Sequence, residues 1–72
     1  MALRSRLRAL VGELRHARTR LLPIEVSERV QHTIVRIEAL LAAPTLDLAA
    51  GDDAAADAQR LLDDCSAHLP KH

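Results

Sequence analysis

The sequence predicts an all-α fold, a small three-helix bundle, and three observations lead to that prediction. Apolar residues recur at helical spacing along three segments, and prolines separate these segments. Hydrophobic residues make up 49% of the chain and include no Phe, Tyr or Trp, so the core must be built from aliphatic side chains. The 72 residues are enough for one small domain, residues 1–72.

The first segment predicts a helix over about residues 3–22. Its apolar residues alternate between spacings of four and three, which is a heptad seam that a β-strand cannot produce. Gly12 lies away from this seam and lowers helix propensity by about 1 kcal/mol relative to alanine, which leaves the prediction unchanged. The seam consists of Leu3, Leu7, Leu10, Leu14, Ala17 and Leu21.

The second segment predicts a helix over about residues 24–43. Pro23 ends the first helix and suits the first turn of the second, although Ser27 is an alternative N-cap that would delay the start. Two helices of similar length joined by a tight proline turn indicate an antiparallel hairpin. The apolar stripe of this helix is Val26, Val30, Ile34, Ile37 and Leu41.

The third segment predicts a loop over residues 44–52 and a helix over about residues 53–68. Asp52 or Asp53 is the expected N-cap, since an aspartate side chain can accept from the free N–H groups of the first turn. The apolar stripe begins with Ala54 and Ala58, which bury little area per residue. We therefore expect this helix to be packed more weakly than the hairpin.

Charge is distributed unevenly, although the total is zero. Residues 1–22 contain six arginines and one glutamate, whereas residues 45–72 contain six aspartates, one arginine and one lysine. One interpretation is that the third segment neutralises the first, within a chain or across a dimer. The other is that the first helix contacts a polyanion. The arginines that form a stripe beside the seam are Arg4, Arg8, Arg15 and Arg18.

Several classes of function are not expected from this composition. Without aromatic side chains there are no stacking platforms for bases or rings. No apolar stretch is long enough to span a bilayer or to form a signal-peptide core, so we expect a cytoplasmic protein. Cys65 and His68 are three residues apart but lack the paired spacing of a zinc site. We predict no metal, no cofactor, no small-molecule substrate and no enzymatic activity.

The stretch from Leu3 to Ala9, Glu13-Leu14-Arg15, Pro23 and Glu38-Ala39-Leu40-Leu41 resembles a known helical hairpin. It is similar to the small E-type co-chaperones of bacterial type III secretion needle subunits. The resemblance covers about residues 3–43 and implies a hairpin that pairs with a second chaperone to hold the needle subunit unpolymerised in the cytoplasm. Those hairpins end their chains, whereas an acidic third segment follows here.

The function predicted from the sequence is that of a small helical module for protein–protein interaction. Such a module would be an adaptor, a co-chaperone or a homo-oligomer subunit that binds a protein partner or itself, and not a membrane. The residues expected to bind the partner are Leu3, Leu7, Leu10, Leu14 and Leu21. The alternative is a helical dimer that binds nucleic acid through Arg4, Arg8, Arg15 and Arg18.

Overall fold

Three helices make up most of the described chain. The computed structural model describes residues 2–20 and 22–67, and its helices are α1 (Leu3–Arg18), α2 (Ile24–Ala42) and α3 (Leu48–Ala67). Each helix packs against the other two, and the described residues contain no strand. The predicted fold class, a small all-α bundle, is confirmed. None of the three helices has both the length and the apolar character to cross a membrane.

The turn between α1 and α2 is built from local hydrogen bonds. The N–H groups of Thr19 and Arg20 donate to carbonyls three residues earlier, each at 3.1 Å, which tightens the chain at the end of α1. The Thr19 hydroxyl also donates to the carbonyl of His16 at 2.7 Å. As a result α1 ends at Arg18, four residues before the predicted end.

Proline residues define both ends of α2. Pro23 is the N-cap, and its carbonyl accepts the first helical hydrogen bond from the N–H of Ser27 at 2.9 Å. The helix therefore begins at Ile24, and the alternative start at Ser27 is not used. At the other end Ala43 has extended backbone geometry because the residue before Pro44 avoids the α-helical region.

The third helix begins earlier than predicted. Asp47 is in the N-cap position, where its Oδ1 accepts from the N–H of Ala50 at 3.1 Å and its carbonyl accepts from Gly51 at 2.8 Å. Asp52 and Asp53, the expected caps, lie inside the helix. The connection between α2 and α3 is thus residues 43–47, and the alanine-rich stretch before Asp52 is helical.

All three helices contribute to one aliphatic core. The largest fully buried side chains are Leu7, Leu14, Val30 and Ile37. The side chains with which α3 enters this core are smaller but equally buried. Helix α3 therefore lies close to both other helices, while each of its alanines buries little area. The buried residues of α3 are Gly51, Ala54, Ala55, Ala58, Leu61 and Cys65.

Helices α1 and α3 run in the same direction, and α2 runs in the opposite one. At the start of both parallel helices, a Cβ placed on Gly51 would lie 2.8 Å from Leu3 Cδ2 and 3.6 Å from Leu7 Cδ1. The later parts of the same helices also meet, since Ala17 and Leu62 line one groove. The absence of a side chain at Gly51 allows α3 to approach α1 closely at its first turn.

Candidate interaction surface

The leucine seam of α1 lies in the core of the chain itself. Leu7, Leu10 and Leu14 are buried, and Leu3 is half-buried against the same cluster. Leu21 lies outside the described residues. In the folded chain, these three buried side chains contact α2 and α3 and are not exposed to a partner.

Three arginines of the predicted stripe contact α2. Arg4 Nη1 donates to the carbonyl of Leu41 at 3.2 Å, at the end of α2 where carbonyl groups lack helical partners. Arg15 forms an ion pair with Glu38, and Arg18 donates to the side chain of Gln31. Arg8, the fourth member, is exposed. The sequence correctly places these arginines on one side of the seam, but it does not reveal that α2 is their neighbour.

Ion pairs between α2 and α3 neutralise part of the acidic third segment. Arg36 Nη1 lies 2.8 Å from Asp57 Oδ2, and Arg60 Nη2 lies 3.2 Å from the other oxygen of the same carboxylate. Arg29 is 3.9 Å from Asp64, which is beyond hydrogen-bonding distance. Apart from Asp64, these groups line an open groove of about 340 Å³. All are at least two-fifths exposed, so each pair contributes about 0–1 kcal/mol.

A second open groove, of about 310 Å³, runs between α1 and α3. Its polar side chains are Glu13, His16 and Arg20 on the α1 side and Gln59, Asp63 and Ser66 on the α3 side. Arg20 Nη2 lies 3.4 Å from His16 Nε2. The groove therefore carries both charge signs side by side, which is a surface for polar contact with another macromolecule.

Several charges on α1 and α3 have no ion-pair partner within 4.0 Å among residues 2–20 and 22–67. On α1 these include Arg6 and Arg8, and on α3 they are Asp52, Asp53 and Asp63. All five side chains are exposed. No ion pair joins α1 to α3 in the described part of the chain, so α3 does not neutralise α1 by direct pairing.

Three large apolar side chains in the described part of the chain are also exposed. Ile24 is 73% exposed, Leu48 is 65% exposed and Val35 is 54% exposed. They were not predicted as surface residues from the sequence. Ile24 and Val35 fall outside the predicted stripe of α2, which is the signal that could have identified them. Single exposed apolar residues are ordinary on protein surfaces and do not by themselves indicate a site.

Cys65 is buried in the core and belongs to the apolar face of α3. Burial is the main effect that raises the pKa of the thiol, and the nearby carboxylate of Asp64 raises this pKa further. The charge of Arg29 acts in the opposite direction and lowers it. A buried, protonated thiol is a poor nucleophile and a poor metal ligand. His68 lies outside the described residues. Within the described ranges, no three His, Cys, Asp or Glu side chains are placed to share a metal ion.

No family model, curated protein or solved structure matches the chain.

Proposed function

We propose that this protein is a small helical module for protein–protein interaction, and that it binds through the outer surfaces of its helices. The observation that supports this most strongly is the placement of a basic helix directly beside an acidic one. Adjacent patches of opposite sign are typical of surfaces that recognise a protein of complementary charge, because they fix its orientation and exclude other partners.

The same placement favours a protein over a polyanion as the partner. Packed helices lie about 8–10 Å apart, which is close to the Debye length of about 8 Å at physiological salt, so the aspartates of α3 lower the positive potential that α1 presents to a polyanion. Asp52 and Asp63 would repel a nucleic-acid backbone that approached the face shared by α1 and α3. A protein surface can match both signs.

The proposed contact does not use the leucine seam. Leu7 and Leu14 are fully buried, and exposing them to a partner would require α1 to separate from the bundle. A co-chaperone, as the resemblance of residues 3–43 implies, is one form that this function could take. Whether or not the protein is a co-chaperone, we place the binding residues at exposed positions of the folded three-helix bundle.

Site-specific photo-crosslinking in cells that make the protein tests this function. A photoreactive side chain replaces Arg8, Val35 or Asp63, which are exposed positions on the three different helices. We expect light-dependent adducts with a protein, either a second copy or another chain, from at least one position. Adducts with nucleic acid alone, or none from any position, would overturn the proposal. Adding Leu14→Asp, which disrupts the core, provides a control that separates contacts of the folded chain from non-specific capture.

Nucleic-acid binding is the second candidate, because the stripe of Arg4, Arg8, Arg15 and Arg18 lies on the α2 side of α1, away from the outer face of α3. If this candidate is correct, binding to a duplex falls steeply with salt, and Arg8→Gln reduces the salt slope by about 1. If the chain does not bind a duplex even at low salt, this candidate is excluded.

A further inference from the structure

We infer that the face shared by α1 and α3 binds a second copy of this chain, with the α1 of each copy lying over the α3 of the other. This inference rests on the proposed function and identifies its partner. It comes from the order of side chains along two exposed strips, one on each helix, and from the parallel direction of the two helices.

The first strip, called the α1 strip, follows one side of α1 and ends at Arg20, two residues after the helix. Its members alternate between spacings of three and four residues, so they share one side of the helix. All are exposed, and the last three line the groove with α3. The α1 strip consists of Arg6, Ala9, Glu13, His16 and Arg20.

The second strip, called the α3 strip, has the same kind of spacing on α3. Its members are likewise exposed, and three of them line the same groove from the other side. At its first member the α3 strip carries Asp52, opposite in sign to Arg6 of the α1 strip, and within the groove it carries Asp63. The α3 strip consists of Asp52, Ala56, Gln59, Asp63 and Ser66.

The two strips are level with one another along the bundle. Gly51 lies against both Leu3 and Leu7, so the next residue, Asp52, is level with Arg6 to within about one residue rise of 1.5 Å. The remaining members follow in the same order because the two helices are parallel. Glu13 therefore lies opposite Gln59, and the other levels pair Ala9 with Ala56, His16 with Asp63 and Arg20 with Ser66.

A twofold axis parallel to the helices uses this alignment. Rotation about this axis places the two copies face to face and leaves every residue at the same height along the bundle. It also swaps the lateral positions of α1 and α3. Each α1 strip therefore lies over the α3 strip of the other copy. Arg6 then meets Asp52 of the second copy, and Glu13 meets the amide of Gln59, which can donate to the carboxylate. A twofold axis that lies between the two copies but runs perpendicular to the helices would instead place α1 over α1, where the arginines repel.

Two further observations fit this arrangement. Arg6, Asp52 and Asp63 have no ion-pair partner within 4.0 Å in the described part of the chain, so their charges are available to another copy. Ala9 and Ala56 lie between the level of Arg6 and Asp52 and the level of Glu13 and Gln59, where small side chains permit a close approach. The face of two short helices is at the small end of specific interfaces, below about 1,200 Å² in total, so we expect a weak dimer.

Charge reversal followed by mixing tests the inference in the full chain. Sedimentation velocity at low salt gives the dimer dissociation constant for the wild type and for Arg6→Glu and Asp52→Lys. Each variant alone should weaken the dimer by about tenfold or more, because it creates two like-charge contacts per dimer. Mixing the two variants in equal amounts should restore association, as should combining both substitutions in one chain.

Arg8→Glu and Asp53→Lys are matched controls. They make the same charge changes at exposed positions on the same helices but outside both strips, so they should leave the dissociation constant within about threefold of the wild type, and circular dichroism reports the fold of every variant. A dimer that is insensitive to Arg6→Glu overturns the inference while leaving the proposed function in place. A wild type that is monomeric at low salt overturns it as well, and photo-crosslinking to a different protein then decides whether the proposed function stands.

Discussion

At the scale of single residues, the core depends on a few large aliphatic side chains, because the sequence contains no aromatic residue. Leu14 is fully buried between the helices, whereas Leu48 is 65% exposed. Truncating a buried leucine removes its transfer free energy and leaves a cavity, and truncating an exposed one does neither.

Leu14→Ala should therefore lower the free energy of unfolding by about 2–5 kcal/mol. Leu48→Ala makes the same chemical change at an exposed position and should lower it by less than about 1 kcal/mol. Urea unfolding followed by the circular dichroism of the helices measures both values. Equal effects at the two positions would contradict the assignment of the core.

The two glycines lie in opposite environments and provide a second matched comparison. A Cβ on Gly12 would meet nothing within 4 Å, whereas a Cβ on Gly51 would lie 2.8 Å from Leu3 Cδ2. Gly12→Ala should raise the free energy of unfolding by about 0.5–1 kcal/mol through helix propensity. Gly51→Ala should raise it by less, or lower it, because Leu3 must move. Thermal unfolding in high salt compares the two, and a larger gain at Gly51 would contradict the close approach of α3 to α1.

The thiol of Cys65 makes stability depend on pH in the alkaline range. Burial raises the pKa of this thiol in the folded chain, so the folded state holds the proton more tightly than the unfolded state. The resulting stabilisation is complete below the unfolded pKa of about 8.5 and is lost as pH rises through the folded pKa. Above about pH 8.5, unfolding free energy should fall more steeply with pH for the wild type than for Cys65→Ala. Parallel curves would show that the thiol titrates alike in both states.

At the scale of helices, periodicity and the prolines predicted the bounds of α2 and the faces that α1 and α2 bury, although α1 ends four residues earlier than predicted. They predicted the start of α3 less well. The run from Pro44 to Gly51 begins with a proline and ends with a glycine, which indicate a loop when read alone. In the structure the Asp47 cap and the contact of Gly51 with Leu3 and Leu7 support an earlier start. That contact is between distant segments, so no local pattern could reveal it.

The N-cap of α3 can be tested directly. Asp47→Ala removes the acceptor for the N–H of Ala50 and should lower the free energy of unfolding by about 0.5–2 kcal/mol. Asp53→Ala, at the position that the sequence suggested as a cap, should change it by less than about 0.5 kcal/mol. Chemical unfolding of the two variants distinguishes them. A larger loss from Asp53→Ala would place the start of α3 where the sequence analysis put it.

At the scale of the whole molecule, the neutral total charge conceals a surface divided between a basic and an acidic helix. The sequence revealed the separation, but which helices become neighbours depends on how the bundle closes. Once α1 and α3 lie side by side and parallel, the α1 and α3 strips become level. Side chains of α2 contact four of the charged residues on these helices, namely Arg15, Arg18, Asp57 and Asp64. The unpaired remainder is the part available for a partner.

The most direct test of this account is the absolute mass of the wild-type chain in solution at low and at high salt. Size-exclusion chromatography with light scattering and refractive-index detection suits a chain without Trp or Tyr. A dimer held by charge contacts should have a mass approaching twice 7.9 kDa in about 0.01 M salt and should dissociate to about 7.9 kDa in about 1 M salt, where the Debye length is about 3 Å. A mass of 7.9 kDa under both conditions, or a larger species that salt does not change, would contradict this prediction.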